Sequence, residues 1–193
     1  MKMIETNRLI LRECEESDAQ ALYEIKHDEL VLKHSPTFLV FLSDVEVTVD
    51  EVAATIKRRK RMETALKALA EDELFLPFSV HLYAICLKGT GVIVGAIEVT
   101  FEVNTAVMGW FMNSKYTKQG YASEAASAIS DELLSEYKLK YVDAQVALDN
   151  PASRRTALKA GFTLVEQRCS KYNGEDFEHY YFQKMSTSLE ECT

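Results

Sequence analysis

The sequence predicts an α/β protein in which a mixed β-sheet carries helices on both of its faces. Segments with strand character come before, between and after segments with helical character along the 193 residues. This order favours one sheet whose strands are connected across both faces. The length suits one domain with a substantial core. We therefore expect a single domain over residues 1–185 and a frayed tail over residues 186–193.

The first part of the chain predicts one strand and two helices. The alternating stretch NRLILRE, residues 7–13, is typical of a strand. A helix should follow over residues 17–25, because Ser17 and Gln20 have the spacing of a capping box. Thr48 and Glu51 repeat that spacing ahead of a helix that we expect to reach about residue 73. Its apolar period falters over residues 57–61, so the pattern allows a break or bend there.

The rest of the chain is richer in strands. Strands are predicted over residues 79–88, 91–101, 105–112 and 140–148. One helix should open at Gly120, and a shorter one should lie between Pro151 and Gly161. Residues 162–170 and 177–185 predict a closing hairpin that turns at Asn173 and Gly174.

Composition excludes several classes of protein. The formal net charge is −8 and the estimated pI is 5.1, which disfavours a general nucleic-acid binder. The basic run KRRKR over residues 57–61 wraps around a helix, so we interpret it as a solvated surface. The four cysteines are scattered without metal-ligand spacing, which is typical of reduced thiols in a cytoplasmic protein. The chain shows no signal peptide and no apolar run near the roughly 20 residues that span a bilayer, so we expect no membrane partner.

The most informative local feature is the junction TKQGYA, residues 117–122, between a strand and a helix. The first amides of a helix have no intrahelical partner and lie at the positive end of the helix dipole, so an uncrowded helix start can bind an anion. Gly120 and Ala122 keep this start uncrowded, and Lys118 adds a positive charge. A simple turn is the alternative interpretation. The spacing matches neither a P-loop nor a dinucleotide fingerprint.

The order and spacing of these segments resemble the GNAT superfamily of acetyl-CoA-dependent N-acetyltransferases. The phosphate loop of that family reads Q/R-x-x-G-x-G/A, and residues 117–122 occupy those positions, with Thr117 in place of the usual Gln or Arg. The opening ETNRLILRECEESDAQALYEI is most similar to the ribosomal-protein N-terminal acetyltransferases. A second motif resembles the same branch, with Asn150, Ser153, Leu158, Lys159, Gly161 and Phe162. The resemblance covers nearly the whole chain and is weakest over residues 30–80.

The resemblance implies a GNAT-like, mostly antiparallel sheet in which one parallel pair of strands splays apart. The pantetheine arm of acetyl-CoA would bind backbone groups in that opening, and an N–H near Met112 would stabilise the oxyanion. Asn150 would hold the cofactor or a water molecule, and Ser153 would protonate the departing thiolate, although both residues also suit helix capping. The residues expected to contact the cofactor are Trp110, Phe111, Met112, Thr117, Lys118, Gln119, Gly120, Tyr121, Ala122, Asn150, Ser153 and Arg155.

The implied site also needs a general base, for which the sequence offers several candidates. Glu98 lies on a strand where the family often carries a catalytic glutamate, so it is the first candidate, followed by Glu102 and His81. Glu178 and His179 lie where relatives carry a substrate-ordering pair. No cysteine adjoins a base motif, so we expect direct attack of the amine in a ternary complex.

The predicted activity is transfer of an acetyl group from acetyl-CoA to a primary amine, with no metal. The acceptor is either a protein N-terminal α-amine or a small-molecule amine, and the chain is either a monomer or a homodimer. Two other functions stay open. One is a catalytically degenerate domain that binds acyl-CoA as a sensor, which the unusual Thr117 favours. The other is a scaffolding protein that uses the long helix after Thr48.

Overall fold

The computed structural model describes residues 2–34, 48–67, 79–172 and 175–186. Within these residues a single sheet has the order β1-β2-β3-β4-β5-β6-β8-β7. Every neighbouring pair is antiparallel except β5 and β6, which are parallel. The strands are β1 (Ile4–Glu5), β2 (Leu9–Glu13), β3 (Val80–Leu87), β4 (Ile93–Phe101), β5 (Thr105–Met112), β6 (Tyr141–Ala147), β7 (Thr163–Tyr172) and β8 (Glu175–Met185).

Helices cover both faces of this sheet, which confirms the predicted fold class. Helices α1 (Ala19–Lys26), α2 (Glu29–His34) and α3 (Val49–Lys67) pack on one face, and α4 (Tyr121–Ser135) and α5 (Pro151–Lys159) pack on the other. The core on the α4 side includes fully buried aromatic and aliphatic side chains from the strands and from Ile129 and Leu133 of α4. The core on the α1 side joins Leu22, Val52 and Ile56 to the small residues of β3 and β4.

The start of α1 differs from its prediction. The reciprocal capping bonds lie at Glu15 and Asp18, around a short 3-10 turn (Glu16–Asp18). Ser17 and Gln20 therefore do not form the box, and Gln20 instead bonds Glu24 one turn later. The Asp18 carboxylate also binds Arg12 through two hydrogen bonds of 2.6 and 2.9 Å. The sequence spacing did not predict this arrangement, because Asp18 is held by Arg12, a residue of strand β2.

The second predicted capping box is confirmed. The Thr48 N–H donates to Glu51 Oε2 at 2.7 Å, and the Glu51 N–H donates to Thr48 Oγ1 at 3.3 Å. Helix α3 then runs without interruption to Lys67, so the break allowed at residues 57–61 does not occur. Four of those five residues are exposed, but Arg59 is partly buried against the sheet. The predicted extension of this helix to residue 73 lies outside the described residues.

Two elements were not predicted, namely β1 and α2. Both are short, and α2 follows α1 after only two residues. The predicted hairpin forms β7 and β8, whereas its turn at residues 173–174 and the tail after residue 186 lie outside the described residues. None of the helices in the described part of the chain is long and apolar enough to cross a membrane.

Candidate active site

Strands β5 and β6 separate along their length. They pair in parallel only from Thr105–Val107 to Tyr141–Asp143, and no further pairs form toward Met112 and Ala147. The Asn113 N–H donates to the Val94 carbonyl, and the Glu102 N–H donates to the Thr105 carbonyl. In this register the odd-numbered residues of β5 direct their backbone N–H and C=O groups toward β4. The backbone groups of Trp110 and Met112 therefore face the opening, because hydrogen-bonding direction alternates along an antiparallel strand. Those of Phe111 face Ala96, so Phe111 offers the opening only its side chain.

The strand-to-helix junction has the backbone shape of an anion site. Lys118 and Gly120 both have left-handed conformations, with φ of 62° and 84°. Gly120 is the N-cap of α4, and no side chain makes the cap hydrogen bond. The first amides of α4 are thus left for a ligand or solvent, and they lie at the positive end of the helix. Lys118 adopts its unfavourable conformation without glycine's freedom, which costs about 1 kcal/mol or more.

The start of α5 lies opposite α4. The Asn150 side chain accepts a hydrogen bond from the Ser153 N–H at 3.0 Å, which confirms the capping interpretation of Asn150. The Ser153 hydroxyl oxygen accepts a bond from Trp110 Nε1 at 3.3 Å. Because Trp110 is a donor only, the hydroxyl proton of Ser153 stays available for another acceptor. The indole thus fixes the direction of the serine hydroxyl beside the opening.

A cavity of about 530 Å³ occupies the opening between β5 and β6. Its lining includes Trp110, which contacts α5, and Phe111, which packs on α1 and α2. Because these neighbours in β5 point to opposite faces, the cavity passes through the sheet. Most of the predicted cofactor residues line it, namely Trp110, Phe111, Met112, Thr117, Lys118, Gly120, Tyr121, Ala122, Asn150, Ser153 and Arg155. Gln119 does not, and its carbonyl instead accepts a bond from Arg8 at 2.9 Å.

Positive side chains line the cavity. Lys118 precedes α4, and Arg155 and Lys159 lie on α5. The neighbouring Arg154 lies over the Tyr180 ring, 5.0 Å from its centroid, and does not line the cavity. Among the residues that the structure describes, the lining contains no aspartate or glutamate, and Phe111 and Met112 add apolar side chains to it. Such a lining suits a ligand with a polyanionic end and a neutral arm.

Helix α2 supplies the part of the site that sequence reasoning missed. Leu30, Val31 and His34 line the cavity from the face opposite α5. Asp28 holds this helix in place, because its carboxylate accepts bonds from the Leu30 N–H at 3.0 Å and the Ser114 N–H at 2.8 Å. The Asp28–Glu29 pair is a helix-start signal that could have revealed α2. Its contact with the end of β5 had no sequence signal.

Glu98 is a partly buried residue close to the opening, and its Oε2 atom is fully buried. It lies directly across from Gly109 of β5, so it shares a sheet face with Phe111. Burial raises its pKa to about 7, although the positive charge of Arg59 acts in the opposite direction. Among the described residues, Glu98 Oε2 has no hydrogen-bond partner. A Cβ at Gly109 would lie 3.3 Å from the Phe111 ring, so the ring packs over Gly109, and Glu98 itself does not line the cavity.

The other candidate bases lie elsewhere. Glu102 is exposed at the β4–β5 turn and accepts a bond from Thr105 Oγ1 at 3.0 Å. His81 lies 3.7 Å from both Glu13 and Glu63, beside a separate pocket of about 40 Å³. His179 is fully buried on β8 and Glu178 is exposed, and neither lines the large cavity. Of these groups, Glu98 is the one that lies across from Gly109 of β5, on the sheet face of Phe111.

Comparisons with known proteins agree with this architecture. A family model described as an acetyltransferase (GNAT) domain matches residues 8–163. The uncharacterized N-acetyltransferase YnaD of Bacillus subtilis (strain 168) is 28% identical over 183 residues, which cover 93% of this chain and 94% of YnaD. A GNAT-family acetyltransferase structure from Bacillus anthracis has a TM-score of 0.72 at 25% identity, covering 95% of this chain and 98% of the other.

One further structure bears on the cofactor. RimL, a ribosomal L7/L12 α-N-protein acetyltransferase solved with coenzyme A, has a TM-score of 0.74 at 16% identity, with 95% and 98% of the two chains covered. At that identity the likeness shows the fold alone. The family model spans most of the sequence, including the junction at Gly120 and both strands of the opening. The chain therefore belongs to the GNAT family of N-acetyltransferases.

Proposed function

We propose that this acetyltransferase moves the acetyl group of acetyl-CoA to a primary amine by direct attack in a ternary complex. The observation that carries this proposal is the cavity that passes through the sheet between β5 and β6. It lets two ligands approach one point from opposite faces. The cofactor would enter beside α4 and α5, and the amine would enter beside α2.

The cofactor side fits coenzyme A by charge and by hydrogen bonding. The diphosphate would lie against the uncapped start of α4, with Lys118 and Arg155 neutralising its charge. The pantetheine arm would bond the backbone groups of Trp110 and Met112, which face the opening. This placement brings the thioester to the level of Ser153. Coenzyme A in the RimL structure supports the same cofactor for this chain.

The reaction needs a base for the amine, a donor for the oxyanion and an acid for the thiolate. We assign the base to Glu98, because a carboxyl group with a pKa of about 7 is ionised in half of the molecules at neutral pH. Proton transfer would use a water molecule, since Glu98 does not line the cavity. The Met112 N–H would stabilise the oxyanion, and the Ser153 hydroxyl, directed by Trp110 and by the Asn150 cap, would protonate the thiolate.

The acceptor is a primary amine of one of two classes. RimL acts on the α-amine of a ribosomal protein, which makes peptide N-termini the first class to test. Small-molecule amines are the second. The acceptor side of the cavity is lined by Leu30, Val31, His34 and Phe111, so it has both apolar contacts and one titratable donor.

A second candidate function is a domain that binds acyl-CoA without turnover. The observation that favours it is Thr117, whose hydroxyl donates to the Ser114 carbonyl at 2.9 Å and is therefore used inside the loop. The backbone amides that would hold the diphosphate do not depend on this side chain. Enzyme and sensor consequently share the cofactor site and differ only in chemistry.

Release of free coenzyme A thiol in the presence of an amine panel tests the proposal. The panel should hold peptides with different N-terminal residues, polyamines and amino-acid derivatives, each with and without enzyme. Acceptor-dependent thiol release supports the acetyltransferase proposal. Acetyl-CoA binding in calorimetry without turnover on any acceptor would favour the sensor, and absence of binding would contradict both.

A further inference from the structure

A network of hydrogen bonds ties the turn between β1 and β2 to the first turn of α4. The Arg8 side chain donates to Glu124 Oε2 from Nε at 2.7 Å, and one of its terminal nitrogens forms an ion pair with the same oxygen at 2.7 Å. The Arg8 N–H and the Thr6 hydroxyl donate to Glu124 Oε1 at 2.9 and 2.6 Å. All of these donors meet one carboxylate that lies four residues after Gly120. The proposed reaction gives neither Arg8 nor Glu124 a role.

Arg8 also contacts the phosphate loop directly. Its remaining terminal nitrogen donates to the Gln119 carbonyl at 2.9 Å, and its guanidinium lies 4.6 Å from the centroid of the Tyr121 ring. The peptide unit between Gln119 and Gly120 is planar and trans, so its N–H points away from its carbonyl oxygen. The Gly120 N–H is consequently directed away from Arg8. Gly120 lines the cavity and Arg8 does not, which places this amide on the ligand side of the loop.

The charge of Glu124 is the second part of the network. Burial opposes ionisation of this carboxyl group, but hydrogen bonds from Thr6 and Arg8 outweigh burial and lower its pKa, so it is anionic at neutral pH. A negative charge in the first turn stabilises an isolated helix. It also repels any diphosphate that binds at the same helix start. Arg8 neutralises this charge.

We propose that Arg8 is a positioning residue for the diphosphate of the cofactor, which acts by orienting the Gly120 amide through the Gln119 carbonyl and by neutralising Glu124. This inference rests on the proposed function, because it takes the diphosphate to bind at the start of α4. It gives a role to Arg8, the first arginine of the segment NRLILRE. This residue is distant from the phosphate loop in sequence and adjacent to it in space.

The test compares ligands with and without the diphosphate. In Arg8→Gln we expect the Kd of acetyl-CoA in calorimetry to rise about tenfold or more. The affinity for S-acetylpantetheine, measured by ligand-observed NMR at millimolar concentration, should stay within about twofold. An unchanged acetyl-CoA affinity would overturn the proposal. So would an equal loss for both ligands, because that pattern indicates general damage to the cavity.

The double variant Arg8→Gln/Glu124→Gln separates charge from orientation. Removing the carboxylate charge should recover at least about threefold of the lost acetyl-CoA affinity. No recovery would contradict the neutralisation of Glu124. Raised salt should reduce the difference in acetyl-CoA affinity between Arg8→Gln and the double variant, since salt screens the repulsion between Glu124 and the diphosphate.

Arg12→Gln is the matched control. It also breaks a two-point arginine–carboxylate pair, with Asp18, on the side of the molecule where α1 begins. We expect it to lower thermal stability and to leave acetyl-CoA affinity unchanged. Equal affinity losses in Arg12→Gln and Arg8→Gln would overturn the positioning role. Failure of the wild-type chain to bind acetyl-CoA would instead contradict the proposed function itself, before any variant is made.

Discussion

The environment of Glu98 lowers the stability of the fold and gives its carboxyl group a pKa that suits a general base. A carboxyl group on the sheet face beneath α1 to α3 loses most of its hydration, and the charge of Arg59 compensates only in part, so its pKa rises to about 7. That value is close to the optimum for a general base at neutral pH. The groups that share its residue type, Glu102 and Glu178, are exposed and have no comparable environment.

Glu98→Gln should lower the turnover number by about 100-fold or more with little change in acetyl-CoA affinity. In the wild type, kcat/KM for the amine should rise with pH through about 7, because the base acts in its deprotonated form. The measurement is a pH profile of thiol release for both proteins, with Glu102→Gln as the control that keeps the wild-type profile. A Glu98→Gln variant with unchanged turnover at all pH values would remove Glu98 as the base.

The same variant should be more stable than the wild type at alkaline pH. The pKa of Glu98 is about 7 in the folded state against an ordinary value of 4.5. Between these values the folded state keeps a proton that the unfolded state has released, so stability falls as pH rises through this window. Above pH 7 the cost is on the order of 3 kcal/mol. We expect Glu98→Gln to unfold about 6–12 °C higher than the wild type at pH 8 and at nearly the wild-type temperature near pH 4.5.

Glu178→Gln is the control for that measurement, because it removes the same charge from an exposed position. It should leave the unfolding temperature of the protein nearly unchanged at both pH values. If Glu98→Gln shows no greater stability than the wild type at pH 8, the carboxyl group does not carry the raised pKa.

Among the elements, the loop into α4 depends most on backbone conformation. Gly120 has a φ of 84°, and a Cβ there would lie 3.3 Å from an Arg8 nitrogen. Gly89 has a φ of 83° in the turn between β3 and β4, but a Cβ there meets nothing within 4 Å. A substitution at either glycine therefore strains the backbone in the same way. Only the substitution at Gly120 also changes the proposed diphosphate site, so comparing the two variants separates the effect of backbone strain from the effect on ligand binding.

Gly120→Asp should abolish measurable acetyl-CoA binding, because its Cβ would lie 3.3 Å from an Arg8 nitrogen and its carboxylate would add negative charge to the loop that we propose holds the diphosphate. Gly89→Asp should cost a similar amount of folding stability, about 1–2 kcal/mol, and should keep wild-type affinity. Calorimetry with acetyl-CoA and thermal unfolding of both variants test this pair. Normal binding by Gly120→Asp would show that the diphosphate lies elsewhere.

The molecule as a whole is negatively charged, whereas the lysine and arginine residues that line the cavity are positively charged. The chain carries a formal charge of −8, yet Lys118, Arg155 and Lys159 line the cavity with positive charge. We therefore expect local cations to decide where a polyanionic cofactor binds. The opening itself is built by strands from both halves of the sheet, so a cofactor bound as proposed would connect β5, α4 and α5.

Acetyl-CoA should accordingly stabilise the entire fold. At a ligand concentration 100 times Kd, binding adds about 2.7 kcal/mol to the free energy of unfolding. For a chain of this length the midpoint of thermal unfolding should rise by about 5–11 °C. A scan with and without acetyl-CoA measures this shift, and Gly120→Asp should show none. The absence of a shift in the wild type would favour the scaffolding alternative.

Local patterns predicted much of this protein, for a physical reason. Alternation marks a strand, Asn150 with Pro151 marks a helix start, and Gly120 marks an uncrowded junction, because each depends on hydrogen bonds and sterics within a few residues. The strands other than β1, the helices α4 and α5 and most of the cavity lining followed from such signals and from the family resemblance. The capping box predicted at Ser17 and Gln20 does not form, because Arg12 of strand β2 holds Asp18 in the box with Glu15 instead.

Long-range packing settled the remaining features, and no short pattern encodes them. The place of α2 in the site comes from Asp28 bonding Ser114, far along the chain. The pKa of Glu98 comes from burial between elements, and the orientation of the Gly120 amide comes from Arg8 at the opposite end of the sequence. The sequence alone thus predicted the fold class correctly and singled out the loop over residues 117–122 as a candidate anion site. Three-dimensional contacts between distant residues set the protonation state of Glu98 and joined the two faces of the sheet in one cavity.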